Sequence, residues 1–187
     1  MKEESIVGSL LEVAHSHISA IVERGEVVMD ATLGNGHDTL FLAQCVGARG
    51  RVIGFDVQQA AIDATRERLV SSGVPEAVYQ LHLMSHSRAG DVINEPCAAV
   101  MFNLGYLPGA EKSTITQTKT TLEAIRAGLA LLRDGGILTV MCYPGHSGGD
   151  EEAAAVLEWA QGQGAGATVY RRENSRETTP FLISLTK

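Results

Sequence analysis

Apolar residues recur at helical spacing at Ile6, Leu10, Leu11, Ala14, Ile18, Ile21 and Val22, which predicts an opening amphipathic helix from Ile6 to Val22 with Ser5 as its cap and Gly25 as its stop. After it the pattern changes to short apolar runs alternating with helical stretches. Strands are predicted at Glu26 to Thr32, Arg51 to Asp56, Val78 to Leu83, Ala98 to Asn103 and Gly136 to Tyr143. The intervening helices are Asp38 to Val46, Gln58 to Ser71, Ile115 to Leu132 and Glu151 to Gln161. Two further runs, Ala167 to Glu173 and Phe181 to Thr186, flank a polar turn and read as an antiparallel pair closing the sheet edge. With right-handed crossovers this order gives an α/β, doubly wound sheet, mostly parallel, with an antiparallel C-terminal hairpin.

The chain has 187 residues, 44% of them hydrophobic, enough for one core. A single domain over 1–187, with the helix of 1–25 packed on it, is expected. No run approaches the roughly 18 uninterrupted apolar residues of a membrane span, and the charged start lacks the basic-then-apolar order of a signal peptide. A cytoplasmic protein is therefore expected. Cys45, Cys97 and Cys142 are far apart and set in apolar sequence, which suits reduced core thiols rather than disulfides or a metal site. His15 and His17 read as rim residues of the opening helix and not as a metal pair. A net charge of −7 disfavours a protein that coats nucleic acid through its phosphates, so any RNA contact must be local.

The candidate chemistry lies at the ends of the predicted strands. Met29-Asp30-Ala31-Thr32-Leu33-Gly34-Asn35-Gly36-His37-Asp38 joins the first strand to its helix, and Gly34 and Gly36 let the backbone pass close under a ligand. A dinucleotide fingerprint needs a third glycine where Thr39 stands, which favours a ligand lacking a pyrophosphate. Asp56 closes the next strand, where an acid accepts ribose hydroxyls. Asp38 is both a cofactor candidate and an ordinary acidic cap of its helix. Phe102-Asn103-Leu104-Gly105-Tyr106-Leu107-Pro108-Gly109 ends the fourth buried strand and opens the longest irregular segment, at the edge where open α/β sheets bind ligands.

Asp30 with the glycine turn resembles the methionine-binding part of class I S-adenosylmethionine-dependent methyltransferases, a Rossmann-like fold in which this acid anchors the cofactor's amino-acid end. Gln58 and the run Ser85-His86-Ser87 then fall where that fold meets the adenosine. Asn103-Leu104-Gly105-Tyr106 is similar to the Asn-Pro-Pro-Tyr clamp of enzymes that methylate a nucleobase nitrogen. In it the Asn103 oxygen and the Leu104 carbonyl accept the target amine and Tyr106 stacks on the base. Leu104 and Gly105 replace the two prolines.

With Lys112-Ser113, Thr114, Thr116 and Tyr143-Pro144-Gly145-His146-Ser147-Gly148-Gly149, these motifs resemble, over nearly the whole chain, the bacterial tRNA 5-(aminomethyl)-2-thiouridine methyltransferase family, long labelled as ribosomal RNA methylases. The resemblance implies methylation of the aminomethyl nitrogen of 5-aminomethyl-2-thiouridine at wobble position 34, with S-adenosyl-L-methionine as cofactor, no metal, and a tRNA anticodon stem-loop as partner. It assigns Asn35, His37, Asp56, Gln58, His86 and Ser87 to the cofactor. Asn103, Leu104 and Tyr106 fall to catalysis, and Gly105, Leu107, Pro108, Lys112, Thr114, Thr116 and His146 to the substrate. His37 stands where the family commonly has asparagine, and Ser85 where it often has glycine. His146 faces the target pocket or serves as a hydrogen-bonding scaffold group. Methylation of an rRNA base and of a small molecule are the alternative functions. The apolar opening helix and the edge hairpin suit either a homodimer or one core.

Overall fold

The computed structural model describes residues 1–105, 118–145, 148–176 and 178–187. The chain runs through β1 (Lys2–Ile6), α1 (Leu10–Ile21), β2 (Val27–Asp30), α2 (His37–Val46), β3 (Arg51–Asp56), α3 (Gln59–Ser71) and β4 (Tyr79–Leu83). It continues through β5 (Cys97–Asn103), α4 (Thr118–Leu131), β6 (Leu132–Cys142), α5 (Gly149–Gly162), β7 (Ala167–Arg172) and β8 (Phe181–Thr186). The eight strands form one sheet in the order β1-β7-β8-β6-β5-β2-β3-β4. Only β8 runs against its neighbours, pairing antiparallel with both β6 and β7.

Alternate residues of the central strands enter two apolar layers. Val27, Met29, Ile53, Phe55, Val100 and Phe102 belong to one, Val28, Val52, Ala99 and Met101 to the other. Burial on both faces explains why these strands read as continuous apolar runs rather than alternating ones. α1 buries Leu10, Ala14 and Ile18 on the second layer, against β6 and β8.

The predicted alternation is present, with three differences. Residues 2–6 are a strand and not the approach to a helix: Lys2 to Ile6 pair in parallel with Thr168 to Arg172. This strand lies outside the C-terminal hairpin, so β1 forms the sheet edge beyond it. An edge strand needs only backbone pairing on one side, and its exposed polar residues carry no apolar period. The helix therefore starts at Leu10, and Ser9, not Ser5, is its cap, accepting from the Glu12 N–H at 3.4 Å. Finally, β6 begins at Leu132, four residues before the expected Gly136, because Leu132 pairs with Cys97 ahead of a register shift. Among the described residues no helix is long and apolar enough to cross a membrane.

The sheet order reverses at β2, which pairs with β3 on one side and with β5 on the other. A crevice opens outside the carboxyl ends of the strands at such a point. Asp30, Asp56 and Asn103 are the last residues of β2, β3 and β5.

Candidate functional site

Asp30 is wholly buried. Its Oδ1 accepts from the Thr32 N–H at 3.1 Å and its Oδ2 from the Thr39 hydroxyl at 2.6 Å. Burial, with the negative charges of Asp38 and Asp56, pushes its carboxyl up to about 7, although the hydrogen bonds from Thr39 and Thr32 work the other way. Among the described residues it has no cationic partner. A buried carboxylate in that position is an acceptor for an incoming cation.

The glycine turn beside it is fixed by sterics. Gly36 has a φ of 75°, and a Cβ there would lie 2.7 Å from the Thr65 Cα. Thr65 donates to the Gly34 carbonyl at 3.4 Å, and Arg68 Nε donates to the Asn35 carbonyl at 2.6 Å. Another Arg68 nitrogen meets His37 Nε2 at 3.0 Å. Since arginine only donates, His37 accepts there. Its ring is exposed and turned toward α3. Asp56 receives the Gly34 N–H on Oδ2 at 3.1 Å and the Gln58 N–H on Oδ1 at 2.9 Å. Both bonds fix the carboxylate, and each oxygen keeps a lone pair for a further donor.

Across the crevice, Ser85 caps a 3₁₀ turn over His86–Asp91 and accepts from the Ser87 N–H at 3.3 Å, with the two hydroxyls 2.9 Å apart. His86 is buried and donates from Nδ1 to the Ala31 carbonyl at 2.9 Å, with its ring edge-on to Phe102. Burial holds this imidazole below the usual histidine range, so it stays neutral with Nε2 as an acceptor.

On the β5 side, the Asn103 N–H donates to the Thr32 hydroxyl at 2.7 Å and its Nδ2 to Asp38 Oδ2 at 2.9 Å. A carboxylate only accepts, so the amide is oriented with nitrogen toward Asp38 and Oδ1 away from it. Among the described residues Oδ1 has no partner. Leu104 is buried in the core and its N–H donates to the Met141 carbonyl at 2.9 Å. Gly105 adopts a φ of 148°, and a Cβ there would lie 3.7 Å from the Tyr143 ring. Tyr143, just past β6, is one-third exposed, and burial together with the charge of Asp38 raises its phenol.

Asp30, Gly34, Asn35, Gly36, Asp38, Asp56, Gln58 and Asn103 thus meet at the switch point, with His86 held there through Ala31. Tyr106, Leu107, Pro108, Lys112, Thr114, Thr116 and His146 lie outside the described residues. Sequence reasoning missed Thr32, Thr39, Thr65 and Arg68, which brace the turn, and Tyr143. It also read His15 as a rim residue, whereas His15 Nε2 donates to Asp38 Oδ1 at 2.9 Å. Thr32, Thr39 and Tyr143 stood inside quoted motifs. Nothing local marks Thr65, Arg68 or His15. Among the described residues no group of three or more His, Cys, Asp or Glu could hold a metal ion.

A model of the family described as "Putative rRNA methylase" matches residues 52–186. The chain belongs to this family. A relative from Arabidopsis thaliana named tRNA (mnm(5)s(2)U34)-methyltransferase, chloroplastic, is 40% identical over 161 residues, which are 81% of this chain and 58% of that protein. The chain thus spans little more than half the length of that curated relative. Two solved structures of similar size share the architecture of this chain. The "putative rRNA-methylase" from Clostridium thermocellum has 37% identity and a TM-score of 0.92, covering 97% of this chain and 99% of that one. A "putative methyltransferase" from Streptococcus mutans in complex with SAH has 38% identity and a TM-score of 0.86, with the same coverage of both chains. The fold is that of the class I methyltransferases, as the resemblance implied.

Proposed function

We propose that this chain is an S-adenosylmethionine-dependent RNA methyltransferase acting on the aminomethyl nitrogen of 5-aminomethyl-2-thiouridine at wobble position 34 of tRNA. The observation that carries this reading is the orientation of Asn103. Its amide nitrogen is spent on Asp38, which leaves the carbonyl oxygen to accept an N–H, one strand away from the buried Asp30 carboxylate. An acceptor aimed at an amine, beside an acid suited to a cationic amino group, is the arrangement that N-methylation requires.

The residues fit the cofactor. Asp30 is a buried carboxyl whose charged form an amino group would stabilise, Asp56 keeps a lone pair on each oxygen for ribose hydroxyls, and Gly36 has no room for a side chain. When bound, the cofactor supplies an electrophilic methyl on a sulfonium. The protein's own tasks are alignment and exclusion of water. Three acids at one crevice, with no Lys or Arg pairing with them among the described residues, favour a cationic donor over its neutral product.

The name of the Arabidopsis relative supports the wobble uridine, and the neighbour solved with SAH supports the donor. The net charge of −7 favours one rival, a small-molecule methyltransferase. The test incubates the chain with the donor and with an anticodon stem-loop bearing the aminomethyl-thiouridine, the free nucleoside, or an unmodified stem-loop, and reads the nucleosides by mass spectrometry. Methyl gain on the modified stem-loop alone is the expected result. Gain on the free nucleoside at equal efficiency, or on the unmodified RNA, refutes the assignment. Asn103→Ala should abolish turnover with cofactor affinity retained.

A further inference from the structure

Asp38 is the second residue of α2, in the first turn, where a carboxylate ordinarily faces the positive end of its own helix. Here both oxygens accept instead from side chains of other elements: Oδ1 from His15 Nε2 on α1 and Oδ2 from Asn103 Nδ2 at the end of β5, each at 2.9 Å. His15 is in turn fixed by a parallel stack on Phe41, with ring centroids 3.7 Å apart and planes 6° apart. The His15 side chain is 26% exposed and that of Asp38 7%, so the pair runs from the molecular surface to the asparagine. The other titratable groups whose charges act here are Asp30 and Tyr143, and among the described residues no Lys or Arg joins Asp38.

We infer that His15 and Asp38 are a positioning pair that locks and polarises the Asn103 amide toward the target amine. This rests on the methyltransferase reading above and adds to it the residues that set the acceptor. An asparagine amide can rotate by half a turn and present either oxygen or nitrogen to a pocket. Only the orientation with nitrogen on Asp38 offers the amine an acceptor, and a donor there would repel its N–H. Donation to a charged carboxylate also draws electron density toward the amide oxygen and strengthens it as an acceptor. His15 occupies the second carboxylate oxygen, which keeps Asp38 from turning back to its own helix. In the transfer, the aminomethyl group first gives its proton to water, and the amine lone pair then forms the N–C bond as the S–C bond breaks. The sulfonium becomes a neutral thioether, and the new ammonium later loses a proton to water. Asn103 holds the amine so that its lone pair faces the methyl.

Two substitutions separate the hydrogen bond from the packing. His15→Phe keeps a ring on Phe41 and removes the donor, whereas His15→Gln removes the ring and keeps an N–H donor. We expect H15F to lower kcat roughly ten- to a hundredfold, the usual consequence of losing a charge-assisted hydrogen bond, with the cofactor Kd by calorimetry within twofold of the parent. H15Q should recover most of the rate. The Asn103 side-chain amide, identified in a nitrogen–proton NMR spectrum by its loss in Asn103→Ala, should shift in H15F and return in H15Q. A parent-like kcat in H15F, an H15Q as slow as H15F, or an unmoved amide signal overturns the inference. If the parent itself does not methylate the aminomethyl-thiouridine stem-loop while the amide signal shifts as expected, the substrate reading fails and the positioning pair stands.

Discussion

Replacing Asp30 by asparagine should stabilise the protein while impairing its cofactor site, and the stabilisation should grow with pH. Asp30 is wholly buried without a cationic partner among the described residues, and its carboxyl is pushed up from an ordinary 3.8 to about 7, chiefly by burial and then by Asp38. The sign follows from linkage: the folded form holds a proton that the unfolded form has already released. Stability from this group is therefore fully present below about pH 4 and is lost as pH rises to about 7. At ~1.4 kcal/mol per tenfold, the whole loss is roughly 4 kcal/mol, of which about 2 kcal/mol falls between about pH 5.5 and 8. Asparagine carries no such cost. Its oxygen keeps the bond from the Thr32 N–H, and its NH₂ meets a Thr39 hydroxyl able to turn and accept.

Urea unfolding of both proteins at about pH 5.5 and 8 measures the difference directly. The gap in favour of Asp30→Asn should widen by about 2 kcal/mol, seen in thermal melts as roughly 4–8 °C. The variant should also bind S-adenosylmethionine at least tenfold more weakly, since a neutral amide replaces the carboxylate proposed to meet the cofactor's amino group. A gap that does not change with pH, or a variant less stable than the parent at pH 8, would show that Asp30 is ionised without penalty and refute the reasoning.

Gly36→Ala places a methyl 2.7 Å from the Thr65 Cα at a φ of 75°. Left-handed strain of about 1–2 kcal/mol and overpacking of about 1–3 kcal/mol should lower Tm by roughly 5–15 °C, and a melt within a degree of the parent would refute the close approach. Tyr143→Ala should raise KM for the modified stem-loop about 5- to 100-fold, the worth of one base–aromatic stack, with Tyr143→Phe near the parent. Equal KM values in all three proteins would exclude that ring from the target pocket.

The parts of the fold legible in the sequence are those whose side chains must be buried. β3 at Arg51–Asp56 and β8 at Phe181–Thr186 have the predicted bounds, because each is an apolar run ended by charge, glycine or proline. β1 was illegible for the opposite reason: Lys2, Glu3, Glu4 and Ser5 stay exposed and join the sheet through their backbone, with Glu3 also accepting from Arg171 Nε at 3.0 Å. The apolar Ile6 then extended the apparent helix past the true cap at Ser9. The acids at strand ends were visible as sharp breaks in apolar sequence. The partners of those acids were not. His15 and Asp38 lie on helices 23 residues apart and meet only because both helices pack on one face of the sheet, so their pairing is a tertiary fact with no local spacing to announce it.

That tertiary cluster bears on how a protein this acidic could act on RNA, as proposed above. Asp30, Asp38 and Asp56 place their charges at one crevice, and among the described residues His15 is the only basic side chain paired with any of them. A phosphate would be repelled there, which leaves the base as the part of an RNA able to enter. An aminomethyl group differs from an unmodified uridine edge in that it can carry a positive charge. On the proposed reading, the same acids that suit a sulfonium donor would also favour the aminomethyl base over its unmodified counterpart. On that argument substrate choice depends on local charge at the pocket, and a broad basic surface is not required. Raising ionic strength should then weaken binding of the stem-loop far less than it does for proteins that neutralise many phosphates, whose affinity falls about 10³–10⁵-fold between 50 and 200 mM salt.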